Sequence, residues 1–262
     1  MLAADLNEDE RGKFVTHVTP ETRPTETAPD AELLRSLGRL VRGLSALFWG
    51  LPVALVICVQ VAQSDLFERF NSAVPFVGNI IPLIPAAIAT GWLLFSLSQF
   101  GHFQKQERVW LSALDRAKLL ALINFGLSPF LHWWNREPSQ RFFVAMIEIL
   151  AVSGLSFLAT LNLVLYRLSV MLPDENLREE TRHFTMLNRL LVLGILLIGG
   201  VLAAYLHYPQ FFIDRIPSLG NYPIMAPAGM WVLLFLVLLP LAVTMALIWK
   251  IKQVILDSVF GG

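Results

Sequence analysis

Cysteine is almost absent from this chain: Cys58 is the only one in 262 residues. A single thiol excludes an intrachain disulfide and any paired-cysteine metal or redox site. Set inside an apolar run, it reads as a buried, inert side chain. Charge is scarce too, at 15% of residues, where a soluble domain carries about 25%. Lys and Arg balance Asp and Glu at twenty each, and no nucleic-acid partner is expected. No P-loop, G-x-S-x-G, H-E-x-x-H or G-x-G-x-x-G pattern occurs, which removes the common nucleotide-binding and hydrolase signatures.

Apolar residues fill the space these absences leave. They make up 55% of the chain, and mean hydropathy is +0.60. A bilayer core takes about 20 mostly apolar residues per helix. Runs of that kind lie at 44–62, 85–103, 142–166, 190–207 and 227–249, and a shorter one lies at 119–134. The fold class expected is all-α: a polytopic helical bundle with six transmembrane helices, or five plus a re-entrant or surface helix.

Residues 1–32 stand apart. Eight acids against three bases give this segment a net charge of −5, and Thr and Pro recur without apolar periodicity. Such a stretch cannot offset its ordering entropy by burial and is expected to be a disordered, cytoplasmic acidic tail. No basic stretch precedes a short apolar core there, so a cleaved signal peptide is not expected. Residues 33–262 form the membrane domain.

The count of spans turns on 119–134, which is short and holds Asn124, Gly126, Ser128, Pro129 and His132. Lys and Arg near span ends favour the cytoplasmic side, so their distribution discriminates. With six spans, thirteen of them (Arg35, Arg39 and Arg42 through Lys250 and Lys252) face one side and four (Arg69, Arg136, Arg141, Arg215) face the other. With five, the split weakens to ten against seven. Six spans place both termini in the cytoplasm, with Trp133 and Trp134 at the outer interface, where indoles are favoured. Sixteen residues rise only about 24 Å, so the bilayer must thin there, or the helix must begin near Asp115 with Lys118 snorkelling. Gln104–Lys118 reads as a separate basic, amphipathic cytoplasmic helix with Val109, Leu111, Leu114 and Ala117 on its apolar face.

The chain also echoes itself. Pro75-Phe-Val-Gly78-Asn79 follows the first span and Pro217-Ser-Leu-Gly220-Asn221 follows the fifth. Each is succeeded by Pro-Ala (Pro85, Pro227), Trp (Trp92, Trp231) and Leu-Leu-Phe. Gly supplies a tight turn, and Pro fits a helix start because the first N–H groups have no partner anyway. The repeat reads either as a parallel duplication about an axis along the membrane normal or as two hairpins that need the same turn chemistry. The aromatic-rich outer loops around both motifs are expected to pack on the bundle or the headgroups.

Few residues are candidates for chemistry. Glu148 is the one acid well inside a span, where a charge is costly unless it is protonated, paired or functional. No Lys or Arg lies at its depth. Asn162 and Asn124 are the other deep polar groups, each able to hydrogen-bond a neighbouring helix. Gly194, Gly199, Gly200 and the Ala87-x-x-x-Gly91 pair are small residues of the kind that let helices approach closely. The five His are scattered, so no metal site is expected, and no cofactor. The sequence leans away from catalysis. It favours a non-catalytic membrane subunit, scaffold or assembly partner in a bacterial cytoplasmic membrane, in contact with the bilayer and with other subunits or further copies of itself. A small transporter or channel module with Glu148 lining the path is the alternative. A lipid-directed enzyme using His132, His207 and the Asp214 loop is a weaker third.

Overall fold

A computed structural model of the chain describes residues 27–63, 83–101, 103, 107–172, 175–208, 210 and 227–260. Seven helical segments are found among them: α1 (Thr27–Gln63), α2 (Leu83–Phe100), α3 (Arg108–Leu127), α4 (Phe130–Arg136), α5 (Arg141–Met171), α6 (Glu175–His207) and α7 (Pro227–Phe260). Residues up to Arg35 form one unit and Ser36–Gly262 another; the packing below is that of the second. The described residues contain no strand. The fold is an all-α bundle, and five helices (α1, α2, α5, α6 and α7) are long and apolar enough to cross a membrane.

Each helix turns one stripe inward at helical spacing. On α1 the stripe is Leu40, Leu44, Leu47, Leu51 and Ala54, on α3 Trp110, Leu114, Ala117, Ala121 and Asn124, and on α5 Ser153, Phe157, Leu161, Val164 and Leu168. The intervals of three and four residues follow from 3.6 residues per turn. Between helices in lipid the driving force is close packing, because lipid tails are as apolar as leucine. Glycine permits that closeness at the α1–α2 contact. A Cβ on Gly43 would come within 2.6 Å of the Phe100 ring, and one on Gly50 within 3.0 Å of Trp92 and Leu93.

The doubtful stretch resolves into a rod at the centre of the bundle. α3 and α4 are separated only by Ser128 and Pro129, both with right-handed helical dihedrals (φ −56°, ψ −33° and φ −62°, ψ −27°). Pro129 has no N–H to continue the ladder, and Ser128 closes α3 by donating its N–H to the Asn124 carbonyl at 2.9 Å. The rod runs antiparallel beside α2, where Trp110 meets Phe100 (centroids 6.5 Å apart) and Ser128 meets Thr90 (3.4 Å). It runs antiparallel beside α5 as well, where Asn124 meets Ser153 and Trp133 meets Phe143 (6.2 Å).

Several sequence expectations change here. Gln104–Lys118 is not a separate helix. α3 starts at Arg108 and continues unbroken through Lys118, so the apolar run from Leu119 continues a helix whose first three turns carry Arg108, Asp115, Arg116 and Lys118, and α3 is not among the helices long and apolar enough to cross a membrane. Its inward face is set by Trp110 rather than by Val109, which is exposed, because the tryptophan lies in phase with Ala117, Ala121 and Asn124. Helix continues to Thr27, so 27–32 is helical rather than irregular. Pro29 in the first turn costs no backbone hydrogen bond. Residues 1–26 lie outside the described part. α2 ends at Phe100 rather than at residue 103. α5, α6 and α7 extend past their apolar runs, to Met171, back to Glu175 and to Phe260. Pro227 is the first residue of α7, as expected, whereas Pro85 is the third of α2 and still within the turn whose N–H groups have no helical acceptor. The repeated motif residues Pro75, Gly78, Asn79, Pro217, Gly220 and Asn221 lie outside the described residues, as do the outer loops.

Candidate functional site

Polar side chains inside the bundle gather at two levels. Nearer the Lys250 end, α5, α6 and α7 meet at Thr244. Its hydroxyl donates to the Pro240 carbonyl at 2.7 Å and accepts from Asn162 Nδ2 at 2.7 Å and Asn188 Nδ2 at 3.4 Å. One donor and two lone pairs are all that a hydroxyl has, so Thr244 is fully used. The second Asn162 amide proton goes to the Leu158 carbonyl at 2.8 Å. All three side chains are completely buried. On α6 this polar face continues through Thr185 and Thr181, also buried. Glu180 of α6 pairs with Lys250 of α7 beyond it.

The second level joins α2, α3 and α5. Ser153 donates to Asn124 Oδ1, and Thr90 bridges the Ala86 carbonyl (2.7 Å) and the Ser128 hydroxyl (3.4 Å). Gly91 brings α2 within reach of Phe125, whose ring lies 3.4 Å from where a Cβ would stand. Beside these groups lies a cavity of about 350 Å³ between α1, α5 and α7, with Cys58, Thr90, Asn124, Gly154, Leu158 and Leu241 among its walls.

Glu148 belongs to neither level. It is half-exposed, and His207, the last residue of α6, lies 3.8 Å from its carboxylate. The His207 ring also sits 3.0 Å from the Ala203 carbonyl. His132 is buried on α4, with Nε2 lacking a protein partner; the structure does not bring it to His207, and Asp214 lies outside the described residues. Phe130, Trp133, Phe142 and Phe143 cluster at the α4–α5 turn with centroid separations of 5.3–6.5 Å. Among the described residues no group of three or more His, Cys, Asp or Glu stands close enough to hold a metal ion.

Two of the three polar candidates from sequence, Asn162 and Asn124, are therefore helix-to-helix connectors, and the third is paired at the end of a neighbouring helix. Sequence reasoning missed Thr244, Asn188, Ser153, Thr90 and Ser128. Only their phase marked them: Thr90 follows Ala86 by one turn, and Thr244 lies one turn from Leu241 and Ile248 on the buried face of α7. No protein family, curated protein or solved structure matches this chain.

Proposed function

We propose that this chain is a non-catalytic multi-pass subunit of a bacterial cytoplasmic membrane, acting as a scaffold or assembly partner in a larger complex. In this reading the α3–α4 rod is the sixth span and both termini are cytoplasmic. The thirteen-to-four division of Lys and Arg supports that sidedness, as does the alignment of the rod with α2 and α5 along its length.

One contrast carries the assembly reading. A Cβ on Gly43 or Gly50 would lie within 3.0 Å of a side chain of another helix and one on Gly91 would touch Phe125 at 3.4 Å, whereas Gly194, Gly199 and Gly200 on α6 have nothing within 4 Å. Glycine in a helix costs about 1 kcal/mol relative to alanine, and small residues in membrane helices usually serve close approach by a neighbour. On α6 no described helix of this chain fills that position, so the reading assigns it to another subunit or a second copy. The transporter alternative asks Glu148 to line a path, but Glu148 meets His207 at a helix end and is not part of the cavity wall.

Purification in mild detergent with mass spectrometry of the co-purifying material tests the proposal. A stoichiometric membrane partner, or a homo-oligomer, is expected, and Gly199→Leu should release it while leaving the monomer folded. An isolated wild-type monomer would overturn the reading. Loss of flux in reconstituted Glu148→Gln vesicles would favour the transporter instead.

A further inference from the structure

The cavity between α1, α5 and α7 has a composition and a depth that specify its occupant. Its wall on α1 runs from Leu51 to Cys58, on α5 from Ile147 to Leu158, and on α7 it includes Val237 and Leu241. Each of these stretches falls inside a segment long and apolar enough to cross a membrane. The cavity therefore lies at the level of lipid tails, where a ligand arrives from the bilayer rather than from water. No charged residue is part of the described wall, and its one aromatic ring is Phe157. Leu, Ile and Val side chains supply most of the rest, with Ala54, Ala151, Gly154, Cys58, Thr90 and Asn124 between them, a surface that suits flexible hydrocarbon and offers little for stacking a planar ring.

The oxygens of the two polar side chains on its wall, Thr90 and Asn124, are engaged within the protein. The Thr90 hydroxyl donates to the Ala86 carbonyl, and Asn124 Oδ1 accepts from Ser153. An occupant is therefore not required to bring a polar group to them. An apolar cavity of this size repels water and takes apolar guests, and its volume falls in the usual range for ligand pockets. Gly154 helps to make the space: it lies on the wall, and a Cβ there would meet nothing within 4 Å. Ala151, one turn before Leu155 on the same wall, is exposed, which gives a side entrance along α5.

We propose that this cavity binds one acyl chain of a bilayer lipid, inserted between α1 and α5 as an integral part of the bundle.

The test uses the full-length protein in vesicles of palmitoyl-oleoyl phosphatidylcholine containing a small share of the same lipid with a diazirine midway along one acyl chain. After illumination, adducts are mapped by peptide mass spectrometry. Adducts on wall residues of α1 (Leu51–Cys58) and α5 (Gly154–Leu158) are expected, beside those on the outward-facing Leu193 and Leu197 of α6. Gly154→Leu, whose Cβ would meet nothing within 4 Å, should cut the wall adducts about tenfold, the change that roughly 1.4 kcal/mol of lost occupancy produces, and leave the α6 adducts unchanged. Wild-type adducts confined to outward-facing residues would overturn the proposal without reference to any variant. So would wall adducts that survive Gly154→Leu in a folded protein.

Discussion

α3 and α6 invert the usual relation between polarity and position. α3 carries Arg108, Asp115, Arg116 and Lys118 and falls below the composition that marks a span, yet it packs between α2 and α5, and its Trp110, Leu114 and Ala117 are fully buried. The apolar part of α6 reaches a mean hydropathy of 2.1, yet only 17% of that stretch is buried inside the protein. Leu190, Leu193, Leu197, Ile198 and Val201 all point outward. The residues that α6 turns inward include Thr181, Thr185 and Asn188. In water the hydrophobic effect would favour the opposite arrangement. In lipid an outward leucine costs nothing, and of the three inward polar residues Asn188 reaches Thr244 at 3.4 Å while the Thr181 and Thr185 hydroxyls are buried without a hydrogen-bond partner among the described residues. Apolarity thus marks the surface of this molecule, and polarity in phase with the stripe marks its centre.

This contrast can be broken at the centre first. Trp110→Ala should lower stability by about 3–5 kcal/mol, the usual cost of removing a buried aromatic, measured as unfolding in mixed detergent micelles. Trp110→Phe should recover most of the loss, because the indole N–H has no protein partner to lose. Full stability in the alanine variant would show that α3 is not central. Next in size is Asn162→Leu, which takes one donor from Thr244 and a side-chain bond from α5. Interhelical hydrogen bonds in membranes average about 0.6 kcal/mol and reach about 1.7, and a loss toward the upper figure is expected because Asn162 is fully buried. A gain in stability would mean that the node serves something other than packing. At the periphery, Leu193→Ala on α6 should change monomer stability by less than about 0.5 kcal/mol. Glu148→Gln should do the same, since its contact with His207 is half-exposed and polar contacts of that kind contribute little. A large loss at either site would place α6 inside the fold rather than at its edge.

How much of this was legible beforehand follows the same physics. Asn124 and Asn162 stood out because an amide inside an apolar run has few reasons to be there, and both prove to bridge helices. Thr90, Ser153 and Thr244 did not stand out, because each also bonds a carbonyl of its own helix, as Ser and Thr do in any helix. Which of them also reaches a neighbour depends on helix rotation, and rotation is a tertiary property. The partner of Glu148 was sought among Lys and Arg at similar depth. It is His207, and the register that brings the end of α6 to α5 leaves no local mark in the sequence. At α3 the sequence allowed a helix beginning near Asp115; the helix begins earlier, at Arg108, and runs through Lys118, which reaches back toward Asp115 at 4.0 Å.

In the six-span arrangement proposed here, the apolar part of the rod, residues 119–134, crosses the bilayer between α2 and α5. Cys58→Ser removes the only thiol, after which a single cysteine is placed before the rod, at Glu107→Cys, or in the exposed turn after it, at Ser139→Cys. A membrane-impermeant maleimide applied to intact cells should label Ser139→Cys at once and Glu107→Cys only after permeabilisation. Labelling of both from the same side would contradict the six-span bundle and the sidedness built on it.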